Sequence, residues 1–277
     1  MVWDAKIISS RQNPAIVAAC KLSDRKNREK ENLFAFEGVK LFCEAIKHGI
    51  ILEKVFIKRS ACDKIIGKAD SLYGGLATGS PLSYTLVEDT VFDKLCDENA
   101  PEGIFCVAQM PDALHRKVTN KAPADRKKES SMLLLESVRD PINVGAVCRS
   151  AVAFHIGRLV LSQDCADIYN PKTLRASMGT LFALPVDIVE SMPDTILSLR
   201  RDGHRVFAAV LDASAEEVGK TPFCKGDCVV IGNEGHGLTE ETVRACDGKR
   251  YIPMSDRAES LNAGVAASIF MWEMQKA

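Results

Sequence analysis

Long apolar runs are absent from this sequence. No stretch of the 277 residues approaches the ~20 apolar residues that cross a bilayer, so no membrane partner is expected. The start, "MVWDAKIISS", carries a charge at Asp4 and has no apolar core of the kind a secretory leader needs. Histidine is scarce, with five residues and no paired spacing, which removes support for a Ser/His/Asp hydrolase. The ten cysteines show no close pairing pattern; without a leader, they suggest reduced thiols in a cytoplasm. Cys224, Cys228 and Cys246 lack a fourth ligand at zinc spacing even if His236 is invoked, so no metal is expected.

A strong excess of one charge is also absent. The net charge of −1 at first argues against a nucleic-acid partner, but the distribution argues for one. Residues 1–60 hold 12 Lys and Arg against 7 Asp and Glu, and residues 113–130 hold 6 against 2. RNA footprints are local patches rather than totals. The basic run Lys21, Arg25, Lys26, Arg28 and Lys30 is therefore expected to contact phosphates. The ordinary alternative is a solvated helix face.

Composition and patterning divide the chain. "PDALHRKVTNKAPADRKKESS" (111–131) has two prolines, six basic residues and little apolar content, and reads as a linker. The expected organisation is a first domain over 1–112, a basic linker over 113–130 and a second domain over 131–277. In the first, "VKLFCEAIKHG" has helical spacing and a glycine stop, while "LEKVFIK" and "GIFCVAQM" read as strands. In the second, the apolar runs "MLLLE", "RLVLS", "RVFAAVLD", "DCVVIG" and "RYIPM" alternate with helical segments. That alternation predicts an α/β fold with a mostly parallel sheet and helices on both faces.

Three chemically suggestive clusters each follow a predicted strand: "ESVRDPINVGAVCRSA", "GNEGHGLTEE" and "PMSDRAESLNAGVAA". A parallel sheet brings all three to its carboxyl edge, where such folds bind ligands. The glycine loop is not a phosphate loop. It lacks the Lys and Ser/Thr of a P-loop, places Glu234 among its glycines, and spaces those glycines wrongly for a dinucleotide fingerprint. Each residue also has an ordinary reading: Asn143 and Ser260 as helix N-caps, Arg149 as a solvated side chain, Cys148 as a small buried thiol, and the glycines as a tight turn.

In this order the clusters resemble the SpoU (TrmH-like) RNA ribose 2′-O-methyltransferases of the SPOUT superfamily. "NVGAVCRSA", "GNEGHG" and "IPMSDRAESLN" match the family's three motifs, and "NPKTLRASMGTLFALPV" between them is similar as well. "SSRQNPAIVAACKLSDRKNREKENLFAFEG" resembles the ribosomal-protein-like substrate-binding domain of this group. The resemblance implies a deep trefoil knot in the second domain, a small α/β substrate-binding domain before it, a homodimer, and S-adenosylmethionine as cofactor. It implies cofactor contact at Gly232, Ile252 and Leu261, with Asn233, Gly237 and Met254 beside them. Asn143, Arg149, Glu234, Ser260 and Asn262 match the polar active-site positions, and Arg175 joins the expected RNA contacts. One departure is visible: many members have S-L-N-V-S where this chain has "SLNAG", so Gly264 supplies no second hydroxyl.

The implied reaction is methyl transfer from a sulfonium to a ribose 2′-oxygen of RNA, with ribosomal RNA the preferred substrate. It requires alignment and removal of the hydroxyl proton. A guanidinium stays protonated, so Arg149 is expected to position RNA and stabilise oxyanion character; Glu234 is the candidate proton relay. Transfer RNA as substrate, and a non-catalytic RNA-binding role, remain alternatives.

Overall fold

The structure, a computed structural model, describes residues 2–73, 83–96, 101–112, 115–118, 130–255 and 257–277. The chain divides into two compact units, Met1–Pro111 with Tyr169–Phe182, and Asp112–Ile168 with Ala183–Ala277.

The first unit runs β1 (Val2–Ile8), α1 (Pro14–Lys21), α2 (Arg25–Glu31), β2 (Leu33–Glu37), α3 (Val39–Lys47), β3 (Leu52–Lys58), α4 (Cys62–Tyr73), β4 (Ser83–Val87), the single turn α5 (Asp89–Phe92) and β5 (Ile104–Gln109). The strands form one sheet in the order β1-β4-β3-β5-β2, with β5 antiparallel to both neighbours. Sequence fixes where the helices begin. Asn13 accepts from the Ala15 amide at 2.9 Å, with Pro14 at the first helical position, and Asp24 accepts from the Lys26 amide at 2.8 Å. Ile16 and Leu22 of the α1 segment pack with Phe56, Phe92 and Phe105 into one core.

The second unit runs β6 (His115–Val118), β7 (Met132–Leu135), α6 (Pro141–Ala153) and β8 (Arg158–Ser162). The excursion 169–182 carries α7 (Pro171–Ser177). The unit resumes with β9 (Val186–Val189), α8 (Met192–Arg201), β10 (Val206–Ala209), β11 (Glu216–Glu217), β12 (Cys228–Ile231), α9 (Glu240–Ala245), β13 (Gly248–Tyr251) and α10 (Ala263–Met274). Its sheet order is β11-β13-β10-β12-β7-β8-β9-β6, and every neighbouring pair is parallel. All four residues of β7 and of β12 are buried, as continuous apolar strands covered on both faces should be. Met132, Leu134, Cys228 and Val230 pack under Met192, Ile196 and Leu199 of α8. α10 lies against α6 and β12. Because β13, β10, β12 and β7 are contiguous, the turns that follow them share one edge.

Two boundaries differ from expectation. The basic stretch 113–130 is not simply a linker: His115–Val118 forms edge strand β6, paired with β9. Its anchor is a buried charge. The Asp187 side chain is fully buried and accepts from Arg158 at 3.0 Å and Arg116 at 3.3 Å. Residues 113–114 and 119–129 of the stretch lie outside the described residues. In addition, 169–182 belongs to the first unit although the second domain was expected to run unbroken over 131–277. The cause is aromatic packing: Tyr169 meets Phe34 at 4.8 Å between ring centroids and Phe182 meets Phe36 at 5.6 Å. Gly179, at φ +86°, lies where a Cβ would come within 2.6 Å of the Glu44 Cβ.

Removing one member of a buried ion pair strands the other charges. Asp187→Ala is therefore expected to lower unfolding stability by about 3 kcal/mol, checked by urea denaturation against the unaltered chain.

Candidate functional site

The shared edge of the second unit holds a cleft of about 530 Å³. Its floor is apolar, with Ile231 at the end of β12, Ala209 at the end of β10, and Phe270 and Ala266 from α10. Gly232, Asn233, Glu234 and Gly237 line it from the turn after β12. Ile252, Met254, Ser260 and Leu261 line it from the turn after β13. Every residue expected at a cofactor site thus borders one cavity, along with two of the five polar candidates.

The turn after β12 is built mostly from its own backbone. Asn233 and Gly237 form an isolated bridge, with Asn233 N–H donating to Gly237 O at 3.1 Å and Gly237 N–H to Asn233 O at 2.9 Å. A Cβ on Gly232 would lie 2.3 Å from the Gly237 carbonyl carbon, so only glycine permits this closure. Gly237 itself has φ +69° and open space around it. The Asn233 carboxamide is spent on the loop: it donates to Ser137 O at 2.8 Å and accepts from the Gly235 amide at 2.8 Å.

Asn143, Glu234 and Asn262, from three separate segments, make one hydrogen-bonded chain. Asn262 caps α10, its Oδ1 accepting from the Gly264 and Val265 amides at 3.0 and 3.2 Å. Its Nδ2 donates to Asn143 Oδ1 at 2.9 Å. Asn143 Nδ2 donates in turn to the Glu234 carboxylate. Asn143 is 7% exposed, whereas Glu234 is exposed on the cleft wall. A Cβ on Gly264 would stand 3.2 Å from Asn262 Oδ1 and 3.6 Å from Asn143 Oδ1. The position that lacks a hydroxyl here therefore faces this carboxamide pair.

Three sequence-based readings need correction: the helix caps at Asn143 and Ser260 and the phosphate contact at Arg28. Asn143 is not the N-cap of α6; Asp140 is, accepting from the Ile142 amide at 2.9 Å ahead of Pro141. Ser260 does not cap α10, since Asn262 does. Arg149 is exposed on α6, does not line the cleft, and makes no hydrogen bond or ion pair among the described residues. Cys148 is buried, and burial pushes its thiol up to about 12, which suits a packing role and not a nucleophile. Among the described residues, no three His, Cys, Asp or Glu side chains gather as metal ligands do. In the first unit Lys21, Arg25, Lys26 and Lys30 are exposed, but Arg28 is not available to phosphate. It is 2% exposed and donates to Leu22 O and Ser23 O, both at 2.7 Å, closing the α1–α2 turn. Arg175 is ion-paired with Glu37 at 2.9 Å.

Two groups of residues escaped the sequence reading. Glu136, 6% exposed at the end of β7, accepts from the Thr239 amide at 2.9 Å and so ties the end of the glycine turn to the sheet. The turn after β10 forms the third cleft wall through Val210 and Leu211, and is anchored by Lys249 to Asp212 and by Arg250 to Glu216. Arg250 also lies over the Phe207 ring at 4.6 Å. The signal was positional: "VLD" ends a strand on the shared edge.

Residues 130–272 match the model of the SpoU rRNA methylase family. The chain belongs to the SpoU rRNA methylase family. Residues 13–106 match the MRM3-like substrate binding domain. The chain is 30% identical over 270 residues to the 23S rRNA (guanosine(2553)-2′-O)-methyltransferase RlmP of Bacillus subtilis, covering 98% of this chain and 99% of that one. A solved TrmH-family protein from Porphyromonas gingivalis is 26% identical with a TM-score of 0.76, covering 96% of this chain and 98% of that one. The SpoU methyltransferase AviRb of Streptomyces viridochromogenes, solved in complex with the cofactor AdoMet, shares the fold at a TM-score of 0.81 and 24% identity, covering 96% of this chain and 98% of that one.

The glycine turn makes a graded forecast for this SpoU-family chain. Gly232→Ala forces backbone apart and is expected to cost about 2 kcal/mol. Gly237→Ala meets only the positive φ and is expected to cost about 1 kcal/mol. Urea denaturation of the two variants side by side checks the order.

Proposed function

We propose that this SpoU-family chain transfers a methyl group from S-adenosylmethionine to a ribose 2′-hydroxyl of structured RNA, ribosomal RNA foremost. The observation that carries this reading is the chain from Asn262 through Asn143 to Glu234 on the wall of the cleft. It supplies a carboxylate of fixed orientation beside a cavity of ligand size.

The cleft suits the cofactor. Its volume lies in the ~300–1,000 Å³ range of small-molecule sites. Apolar walls meet an adenosyl group, the turn after β12 offers backbone polar groups, and the carboxylates of Glu234 and Glu259 offset positive charge. When bound, S-adenosylmethionine supplies a methyl group already activated on a sulfonium. Glu234 accepts the proton of the 2′-hydroxyl. Asn143 holds that carboxylate in one orientation, and Asn262 fixes Asn143 while capping α10. Arg149 positions the RNA backbone and stabilises charge on the attacking oxygen. Lys21, Arg25, Lys26 and Lys30 hold phosphates; the exposed pairs Arg25–Glu29 and Lys30–Glu31 are weak enough to exchange for RNA.

The same reading has a small N-terminal substrate-binding domain, a knotted second domain, a homodimer and a cytoplasmic location. Ile142, Val265 and Trp272 are 57%, 49% and 50% exposed on the packed helices α6 and α10, which supports a covered apolar face. Among the described residues no helix is long and apolar enough to cross a membrane. Arg149, exposed on α6 and away from its own cleft, serves the partner's cleft in this arrangement.

Arg149→Ala is expected to reduce methyl transfer about 100-fold or more, while equilibrium dialysis finds S-adenosylmethionine affinity unchanged. Near-normal transfer by the variant would remove Arg149 from the mechanism. Mixing Arg149→Ala with Glu234→Gln subunits is expected to restore roughly a quarter of the activity, because half the dimers regain one complete site. Activity near zero after verified subunit exchange would place both groups in one subunit's site. A binding titration against salt is expected to lose slope when Lys21 and Lys26 are both changed to Met, by about 0.7 per lost phosphate contact on single strands.

A further inference from the structure

The first unit carries a second cavity, of about 250 Å³, that the methyl-transfer site does not use. It is smaller than the ~300–1,000 Å³ of drug-sized ligand sites, which limits it to one ring system. Leu22, Phe36, Leu41 and Phe105 give it apolar walls. Three charged side chains border it: Lys94, Arg175 and Glu37. Arg175 and Glu37 are ion-paired at 2.9 Å, presenting a fixed donor beside a fixed acceptor. The end of α1 contributes Cys20 and Ser23 to the lining, so the exposed basic run that starts at Lys21 begins at the cavity.

We propose that this cavity receives one unstacked nucleobase of the RNA substrate, guanine in preference to the other bases. The proposal rests on the RNA-substrate reading above and adds a binding site to it. The apolar walls take the ring faces. The Glu37 carboxylate accepts from the imino and amino N–H groups of guanine, and Arg175 donates to its O6. Lys94 and Lys21 neutralise the flanking phosphates. A base held here on the substrate-binding unit sets the register of the RNA independently of the methylated ribose.

Cys20 reports on occupancy because it lines the cavity and is partly exposed. The full chain is labelled with N-ethylmaleimide, and each cysteine is followed by peptide mass spectrometry. Guanosine 5′-monophosphate at millimolar concentration is expected to slow Cys20 labelling about threefold or more, with exposed Cys224 as the unchanged control. Adenosine, cytidine and uridine monophosphates are expected to protect less, and inorganic phosphate not at all. Protein-free 23S rRNA is expected to protect fully. Arg175→Met is expected to abolish nucleotide protection and raise the KM for rRNA about tenfold at unchanged kcat, with S-adenosylmethionine affinity unaltered. Lys94→Met, a surface change, is expected to weaken rRNA protection without altering folding. Cys20 labelling indifferent to all four nucleotides and to rRNA overturns the proposal, as does equal protection by phosphate or protection that survives Arg175→Met. If the chain methylates rRNA while Cys20 stays unprotected, the cavity assignment fails alone. If it neither methylates nor is protected, both readings fail.

Discussion

The Asn143 carboxamide is the point at which three segments of the second unit join. It gives its N–H to Glu234 and its carbonyl to Asn262, and it is buried while doing so. A buried amide left unsatisfied at either end costs on the order of 1–3 kcal/mol. The turn after β12 and the start of α10 are therefore held to α6 together. The sheet order makes this possible, because β13, β10, β12 and β7 lie side by side and deliver their turns to one edge. Without that order, three polar residues far apart in sequence would have no reason to meet.

The arrangement divides labour between backbone and side chains. Around the cleft, glycine and carboxamide chemistry is spent on shaping the wall: Gly232 yields to Gly237, Asn233 ties its loop to Ser137, and Glu136 ties the loop's end to the sheet. Glu234 stands on that wall as an exposed carboxylate held from below by Asn143. An enzyme that transfers an already activated group needs alignment and one proton acceptor more than it needs a reactive nucleophile. Cys148, buried with a raised thiol, fits that division as a packing residue.

Much of this was legible in the sequence. Strands β7, β8, β10 and β12 read clearly because buried parallel strands are continuous apolar runs. The three loops were legible as residues but not as contacts, since strand order carries no periodic signature. β6 was hidden by its composition: "HRKV" reads as solvent-facing, and only the buried Asp187 explains why two arginines turn inward. Arg28 was misread for the same reason, since a basic run gives no sign that one member folds back on a turn. The cap of α6 was readable and missed. Asp140 followed by Pro141 is the stronger start signal, because proline belongs at the first helical position; recognising it would have released Asn143 for the site. The membership of 169–182 in the first unit rests on Tyr169 and Phe182 finding Phe34 and Phe36, a contact that no local pattern announces.

In the proposed reaction the cleft and the Asn262–Asn143–Glu234 chain act together to methylate ribose in ribosomal RNA. The most direct measurement is to incubate the purified full chain with protein-free 23S rRNA and methyl-labelled S-adenosylmethionine. The RNA is then digested to nucleosides and resolved by mass spectrometry. Label is expected in a 2′-O-methylnucleoside, and none when Glu234→Gln replaces the unaltered chain. Label on a base, or no label from a chain that binds both the cofactor and the RNA, would contradict it.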